Sequence, residues 1–165
     1  MVVSRDVSTE EKAMKINIKR IPEEGERLTG VESPAILGIE EEDLRFECDI
    51  SYDLFAQHQG QALLVTGKLQ TPATLRCSRC LKKFRKPLTV REFVFHKELT
   101  GEDFVDLTDN IREDIILQLP QRALCHDECR GLCPLCGQNL NESDCQCAKS
   151  HGDLRWHALD QIKIK

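Results

Sequence analysis

No stretch of this 165-residue chain approaches the roughly 18 to 20 consecutive apolar residues that a membrane-crossing helix needs. The N-terminus, MVVSRDVSTEEK, carries no apolar segment beyond its first residues, so no export signal is expected. The chain is therefore expected to be neither membrane-spanning nor exported, and to work in the cytoplasm. A glycine-rich phosphate loop is missing, as is a Gly-x-Ser-x-Gly elbow, which removes the corresponding nucleotide-hydrolysing and serine-hydrolase chemistries. No internal repeat is visible beyond pairs of cysteines. Acidic residues are absent from residues 72–91, although the chain as a whole has a formal charge of −5.

What is present begins with composition: 40% apolar and 31% charged residues, the balance of a folded globular chain rather than a disordered one. The length suits one ordinary core, or one core with a small metal-held appendage. Nine cysteines would form a disulfide framework only in an oxidising compartment. In a reducing one, metal binding or redox chemistry must account for them.

Along the chain, residues 1–13 read as a flexible N-terminus. Met14, Ile16 and Ile18 alternate with Lys15, Asn17 and Lys19 as a half-buried strand, and Pro22, Gly25 and Gly30 punctuate a loop. A long alternation then places Leu44, Phe46, Cys48, Ile50, Tyr52 and Leu54 on one face. Gln59-Gly60 breaks it, and a second strand follows with Leu63, Val65 and Leu69 inward, which makes a β-hairpin. Cys48, in the apolar row, reads as a small core residue. Residues 88–97 form another strand, and Cys77-Ser-Arg-Cys80 falls where the chain must turn. Residues 108–120 change to helical period through Ile111, Ile115 and Leu119, with Asn110 and Glu113 as a capping pair and Pro120 as the stop. The expected fold class is α+β: a mostly antiparallel sheet with one packed helix and a C-terminal cysteine-rich zinc-binding segment. The domains read as a core over 14–120 that carries the Cys-x-x-Cys basic turn, and a zinc-binding segment over 121–165 that ends in a short helix docked by Trp156, Leu159 and Ile162.

Structural zinc takes four thiolates in a tetrahedron, and two residues between cysteines let one tight turn present both sulfurs. Cys133-Pro-Leu-Cys136-Gly137 is such a turn, with Gly137 free to take positive φ. Cys145 and Cys147 follow closely, so Cys133, Cys136, Cys145 and Cys147 group as one site. Cys77, Cys80, Cys125 and Cys129 remain as a second set. The alternative is a single zinc drawn from the six C-terminal cysteines, so the expectation is one or two Zn2+. His126, His151 and His157 are near enough in sequence to replace a sulfur, though solvated histidine is the plainer reading. Sulfur-only, saturated sets point away from catalytic zinc, which keeps an open position. The zinc-deaminase pattern wants Pro before its cysteine pair, and here Pro134 lies inside it. A thioredoxin-like use of Cys77-Ser-Arg-Cys80 would want a βαβ setting. No enzyme is expected.

Residues 72–91 carry seven Lys or Arg, leaving the rest of the chain with 16 basic against 28 acidic residues, a net of −12. Arg76, Arg79, Lys82, Lys83, Arg85 and Lys86 interleave with Cys77, Cys80 and Phe84, so a metal-fixed turn would hold them together as a nucleic-acid-binding surface. A solvated hairpin that balances the acidic body, or a protein partner with an acidic face, would fit the same island. Phe84 reads as core rather than as a stacking platform.

VDLTDNIREDIILQLP, then CHDECRGLCPLCGQNLNESDCQC and the closing DLRWHALDQIK, together with the upstream CSRC, resemble the YceD-like family, the large ribosomal RNA subunit accumulation proteins. The resemblance spans roughly residues 44–162 and rests on Cys77, Cys80, the Asp106 to Pro120 region, Gly131, Cys133, Cys136, Gly137, Asn139, Leu140 and Asn141. It implies a bacterial or plastid factor for 23S ribosomal RNA processing or accumulation and for assembly of the large ribosomal subunit, with ribosomal RNA or the pre-ribosomal subunit as partner. It brings no catalytic residues. Some members keep the Cys-x-x-Cys pair without the C-terminal cluster, so the pair and its basic flank are the expected shared surface. A redox-responsive zinc-thiolate switch and a protein-interaction adaptor are the competing functional readings.

Overall fold

The structure is a computed structural model that describes residues 14–39 and 41–147. The first 13 residues and the segment of Trp156, Leu159 and Ile162 lie outside the described residues. The elements in chain order are β1 (Lys15–Asn17), β2 (Glu26–Glu32), β3 (Leu44–Arg45), β4 (Ile50–Gln59), β5 (Ala62–Arg76), β6 (Lys83–Glu98), β7 (Phe104–Asp106) and α1 (Thr108–Leu117), with short 3-10 turns at Ile18–Arg20 and Pro34–Leu37. All strand pairings are antiparallel. β2, β4, β5 and β6 lie side by side with β3 on β5, and β1 pairs with β7 as a separate ribbon. This is the expected mostly antiparallel sheet with one helix.

Alternation decides which face packs. Ile50, Leu54 and Ala56 of β4 point inward with Leu63, Val65 and Leu69 of β5. They share one core with Ile111 and Ile115 of α1 and with Leu37, Val105 and Leu107. Burying the two helix isoleucines is worth about 1.5–3 kcal/mol each. Helical spacing sets them on one side of α1, as the sequence pattern predicts. The cap is different: α1 begins at Thr108, two residues before Asn110, and no side chain caps it at Leu107. Instead Asp106 Oδ1 accepts from Thr108 N at 2.9 Å, and Thr108 Oγ1 accepts from Met14 N at 2.9 Å. The helix start is thereby clipped to the β1–β7 ribbon.

Three further expectations change. Gly30 lies inside β2 opposite Tyr52 rather than in a loop; a Cβ there would meet the Tyr52 hydroxyl at 2.6 Å, so the ring covers the bare backbone. The alternation from Leu44 is one row in burial but two strands in pairing. β3 pairs Leu44 with Leu75 and Arg45 with Thr74, whereas β4 resumes with Ser51 opposite Gln70. Cys48 falls in the intervening excursion, half-buried, accepting from the Arg85 guanidinium rather than packing in the core. Finally, β6 starts at Lys83, five residues before the expected strand. β5 and β6 together make a ribbon roughly 50 Å long that carries Cys77 and Cys80 at its tip.

Candidate metal centres

The tip of the ribbon is a tight turn made by Cys77 to Lys82. Cys77 N donates to Lys82 O at 2.9 Å, and Leu81 N donates to Cys77 O at 2.9 Å. Cys133 to Gln138 repeats the pattern: Cys133 N donates to Gln138 O at 2.8 Å and Gly137 N to Cys133 O at 2.9 Å. In both turns the residue after the second cysteine has positive φ, +75° at Gly137 and +60° at Leu81, the one non-glycine residue of that kind among the described residues. These are two copies of one cysteine knuckle, the first hidden from sequence reading because Leu stands where Gly is usual.

Each knuckle is completed by two more sulfurs. Cys77, Cys80, Cys125 and Cys129 have their Sγ atoms within 4.8 Å of one another, and so do Cys133, Cys136, Cys145 and Cys147. In the first set, Cys77 Sγ lies 3.8 Å from Cys129 Sγ and Cys80 Sγ 3.6 Å from Cys125 Sγ. Four sulfurs bound at about 2.3 Å to a tetrahedral zinc stand roughly 3.8 Å apart, so the set has the size of a four-thiolate metal site. All nine cysteines are free thiols. The two quartets are those expected from spacing, and both could hold a metal ion. Among the described residues no histidine, aspartate or glutamate joins either set. His126 Nδ1 sits 3.1 Å from Cys125 Sγ as a neighbour of the ligand set, and His151 and His157 lie outside the described residues.

The sets differ in setting. Cys77, Cys80 and Cys129 are buried in a small apolar cluster with Phe84, Leu124 and Leu132, whereas Cys136 is exposed and Cys145 and Cys147 are half-buried. Phe84 also packs on the main core, so it joins the two cores instead of offering a free ring. Burial pushes the Cys77 thiol up, but the N–H groups of Cys80, Arg79 and Cys125 outweigh it and bring it to about 6. Burial raises Cys80 and lifts Cys125 to about 12. In the second set, the N–H groups of Cys136 and Leu135 lower Cys133 to about 6, while the contact with the Cys136 sulfur raises Cys147 to about 12. Each knuckle thus offers its first cysteine as the more acidic thiol, and an arriving metal must displace the protons of Cys80, Cys125 and Cys147.

The basic residues separate by role. Arg79 donates to the Cys129 carbonyl at 2.8 Å, so it fastens the loop of the first quartet. Arg76 is paired with Asp43 at 3.1 Å. Lys82, Lys83, Arg85 and Lys86 are exposed. Among the described residues none of these four enters an ion pair. Register sets Arg76 opposite Lys83 and Thr74 opposite Arg85, with Arg45 on the far side of Thr74. Arg45, Arg76, Lys83 and Arg85 therefore share one face of the ribbon, and Lys86, opposite Ala73, belongs to the other. Arg45 escaped the sequence reading because it lies in an acidic stretch and meets the island only through pairing. Asp43, and Glu47 at 3.3 Å from Thr74 Oγ1, border that face with negative charge.

The fold and the two sulfur quartets define a small antiparallel-sheet protein with two candidate four-cysteine metal sites. Residues 92–163 match the family model described as large ribosomal RNA subunit accumulation protein YceD. A protein of Mycobacterium tuberculosis strain H37Rv described as uncharacterised is 30% identical over 125 residues, which cover 67% of this chain and 60% of that protein. The large ribosomal RNA subunit accumulation protein YCED homolog 1, chloroplastic, of Arabidopsis thaliana is 30% identical over 59 residues, 36% of this chain and 18% of that protein. Its Zea mays counterpart is 43% identical over 44 residues, 26% of this chain and 15% of that protein. These matches support a YceD-like family for the chain, with the family model falling on its C-terminal part. It spans about 60% of the length of the mycobacterial relatives it matches. No solved structure matches. No helix of the described residues is long and apolar enough to cross a membrane.

Proposed function

We propose that this protein is a non-enzymatic, zinc-binding factor that acts in the cytoplasm on 23S ribosomal RNA processing or accumulation and on assembly of the large ribosomal subunit. It binds RNA or pre-ribosomal particles through the tip of the β5–β6 ribbon. The observation that carries this reading is the hairpin end itself: Lys82, Lys83, Arg85 and Lys86 stand exposed on a turn whose backbone is pinned by a buried cysteine quartet. Cations held by a rigid turn meet phosphates with little ordering cost. Zinc is supported by sulfur-only sets of tetrahedral size, and a non-catalytic role by their saturation, which leaves no ligand position for a substrate. We read residues 14–120 as the core and 121–165 as the metal-held segment, stapled together through Cys77 and Cys80.

Reversing Lys82, Lys83, Arg85 and Lys86 to Glu is expected to abolish co-purification of ribosomal RNA while shifting thermal stability little, because these charges are exposed. With about four phosphate contacts, wild-type binding to single-stranded RNA should weaken with salt at a log-log slope of roughly −3. Wild-type levels of bound RNA in the reversed-charge variant would remove the ribbon tip from the reading. A protein-interaction adaptor would show partner binding that survives ribonuclease. The exposure of Cys136 favours one second reading, a redox-responsive thiolate switch. It predicts that mild peroxide expels metal from the Cys133 quartet before the Cys77 quartet.

A further inference from the structure

The two quartets are joined by one side chain. Asn141 belongs to the loop between Cys136 and Cys145, inside the second set, yet its Nδ2 donates to Cys129 Sγ of the first set at 3.4 Å. Its orientation is fixed chemically: Oδ1 accepts from Arg130 N at 2.8 Å, so the amide nitrogen must face the sulfur. The second Nδ2 hydrogen goes to Asn139 Oδ1 at 2.8 Å. Asn139 in turn bridges to Leu132, and Leu140 N donates to Gly131 O at 2.9 Å. The strip so formed rests on the first knuckle, where Leu132 N donates to Arg79 O at 3.2 Å. Gly131 lies so close that a Cβ there would stand 3.1 Å from Arg79 O.

We infer that Asn141 couples the two metal sites: closing the second quartet positions an N–H donor on a thiolate of the first and tightens metal binding there. The inference rests on the reading of both quartets as metal sites. An N–H···S bond withdraws charge from a thiolate and steadies it as a ligand, and outer-shell partners of this kind typically change metal affinity 10- to 100-fold. The loop that carries Asn141 is tied at both ends by the second quartet, so an empty second site lets the loop open and removes the donor. Linkage makes the effect reciprocal: a metal in the first site must favour the second by the same factor.

The test uses the full chain loaded with Zn2+, a competing chromophoric chelator to read affinity, and 113Cd2+ substitution to give a resonance for each site. Asn141→Ala is expected to weaken the first site about tenfold and to move its 113Cd resonance. Emptying the second site with Cys145→Ser and Cys147→Ser should weaken the first by a similar factor, and adding Asn141→Ala to that variant should cost nothing more. Asn141→Asp, which sets a carboxylate beside the sulfur, should weaken it further than Ala. An unchanged first site in Asn141→Ala overturns the coupling. So does a first site indifferent to an empty second one, or losses that simply add. Should the wild-type chain bind neither Zn2+ nor Cd2+, the metal reading itself falls, a result distinct from either.

Discussion

Leu81 holds a backbone conformation that costs an L-residue roughly 1–2 kcal/mol, and it does so because its N–H must reach the Cys77 carbonyl to close the knuckle. Its side chain is 48% exposed, so little packing repays the strain. Replacing it by Gly should leave stability at or above wild type, the relieved strain offsetting the looser unfolded chain. Leu81→Val should lose about 1–2 kcal/mol, since a branched β-carbon tolerates positive φ least. Chemical denaturation of the two variants checks the order, and a Val variant as stable as the Gly variant would contradict the strain account. At this scale the sequence was legible where chemistry and spacing coincide, as in the eight quartet cysteines. It was not legible for Leu81, whose role depends on backbone geometry, nor for Arg79, whose side chain is spent on a carbonyl 50 residues away.

The elements show how a single irregularity redirects a pattern. Opposite the Gly67 to Leu69 step, β6 carries one extra residue between Val90 and Phe93, so both point inward, and Val94 is left 63% exposed. Strict alternation along residues 88–97 could not foresee that change of phase. Gly67 makes the neighbouring approach possible: a Cβ there would lie 2.7 Å from Leu54 Cα and collide with the Asp53 carbonyl. Gly67→Ala should therefore destabilise by roughly 3 kcal/mol, the upper range for overpacking a close backbone contact. A thermal melt within 1 °C of wild type would show that β4 and β5 can separate at no cost. The start of α1 supplies a milder test. Burial would raise Asp106, but the Thr108 hydroxyl and N–H outweigh it and hold its carboxyl below the usual range. A carboxylate lowered by folding adds stability that is present above its unfolded value of about 3.9 and lost as pH falls through the folded value. Asp106→Ala should cost about 1 kcal/mol at pH 7. That deficit should shrink below about pH 3.9, and one that stays constant down to pH 2 would rule out the carboxylate as its source.

For the whole molecule, the grouping of sulfurs into two sets of four could be read from spacing, whereas the stacking of one set on the other could not, because it runs through Asn141 on Cys129 and Leu132 on Arg79. That stacking divides the molecule into a sheet held by its own apolar core and a segment over 121–147 with little apolar material. Leu132, Leu124 and the cysteines are nearly all that the segment contributes to buried surface. On the proposed reading metal supplies what the core does not, since structural zinc provides on the order of 10 kcal/mol of apparent binding energy in small metal-nucleated units. Cys133→Ser with Cys136→Ser removes the second site while keeping all four cysteines of the first. Hydrogen exchange should show the Cys133-position, Gly137 and Leu140 amides, now bonded within the strip, losing most of their protection. The Val65 and Phe93 amides of the sheet should keep theirs. Stripping both sites with a strong chelator should go further and release Ser78, whose N–H is held by the Ala123 carbonyl at 2.8 Å. The sheet between β4 and β5 should still stay closed, because its core is continuous without the metals. If exchange in β4 and β5 rises with that in the strip, the two parts fold as one cooperative unit, and the quartets stabilise the whole protein rather than the basic tip alone.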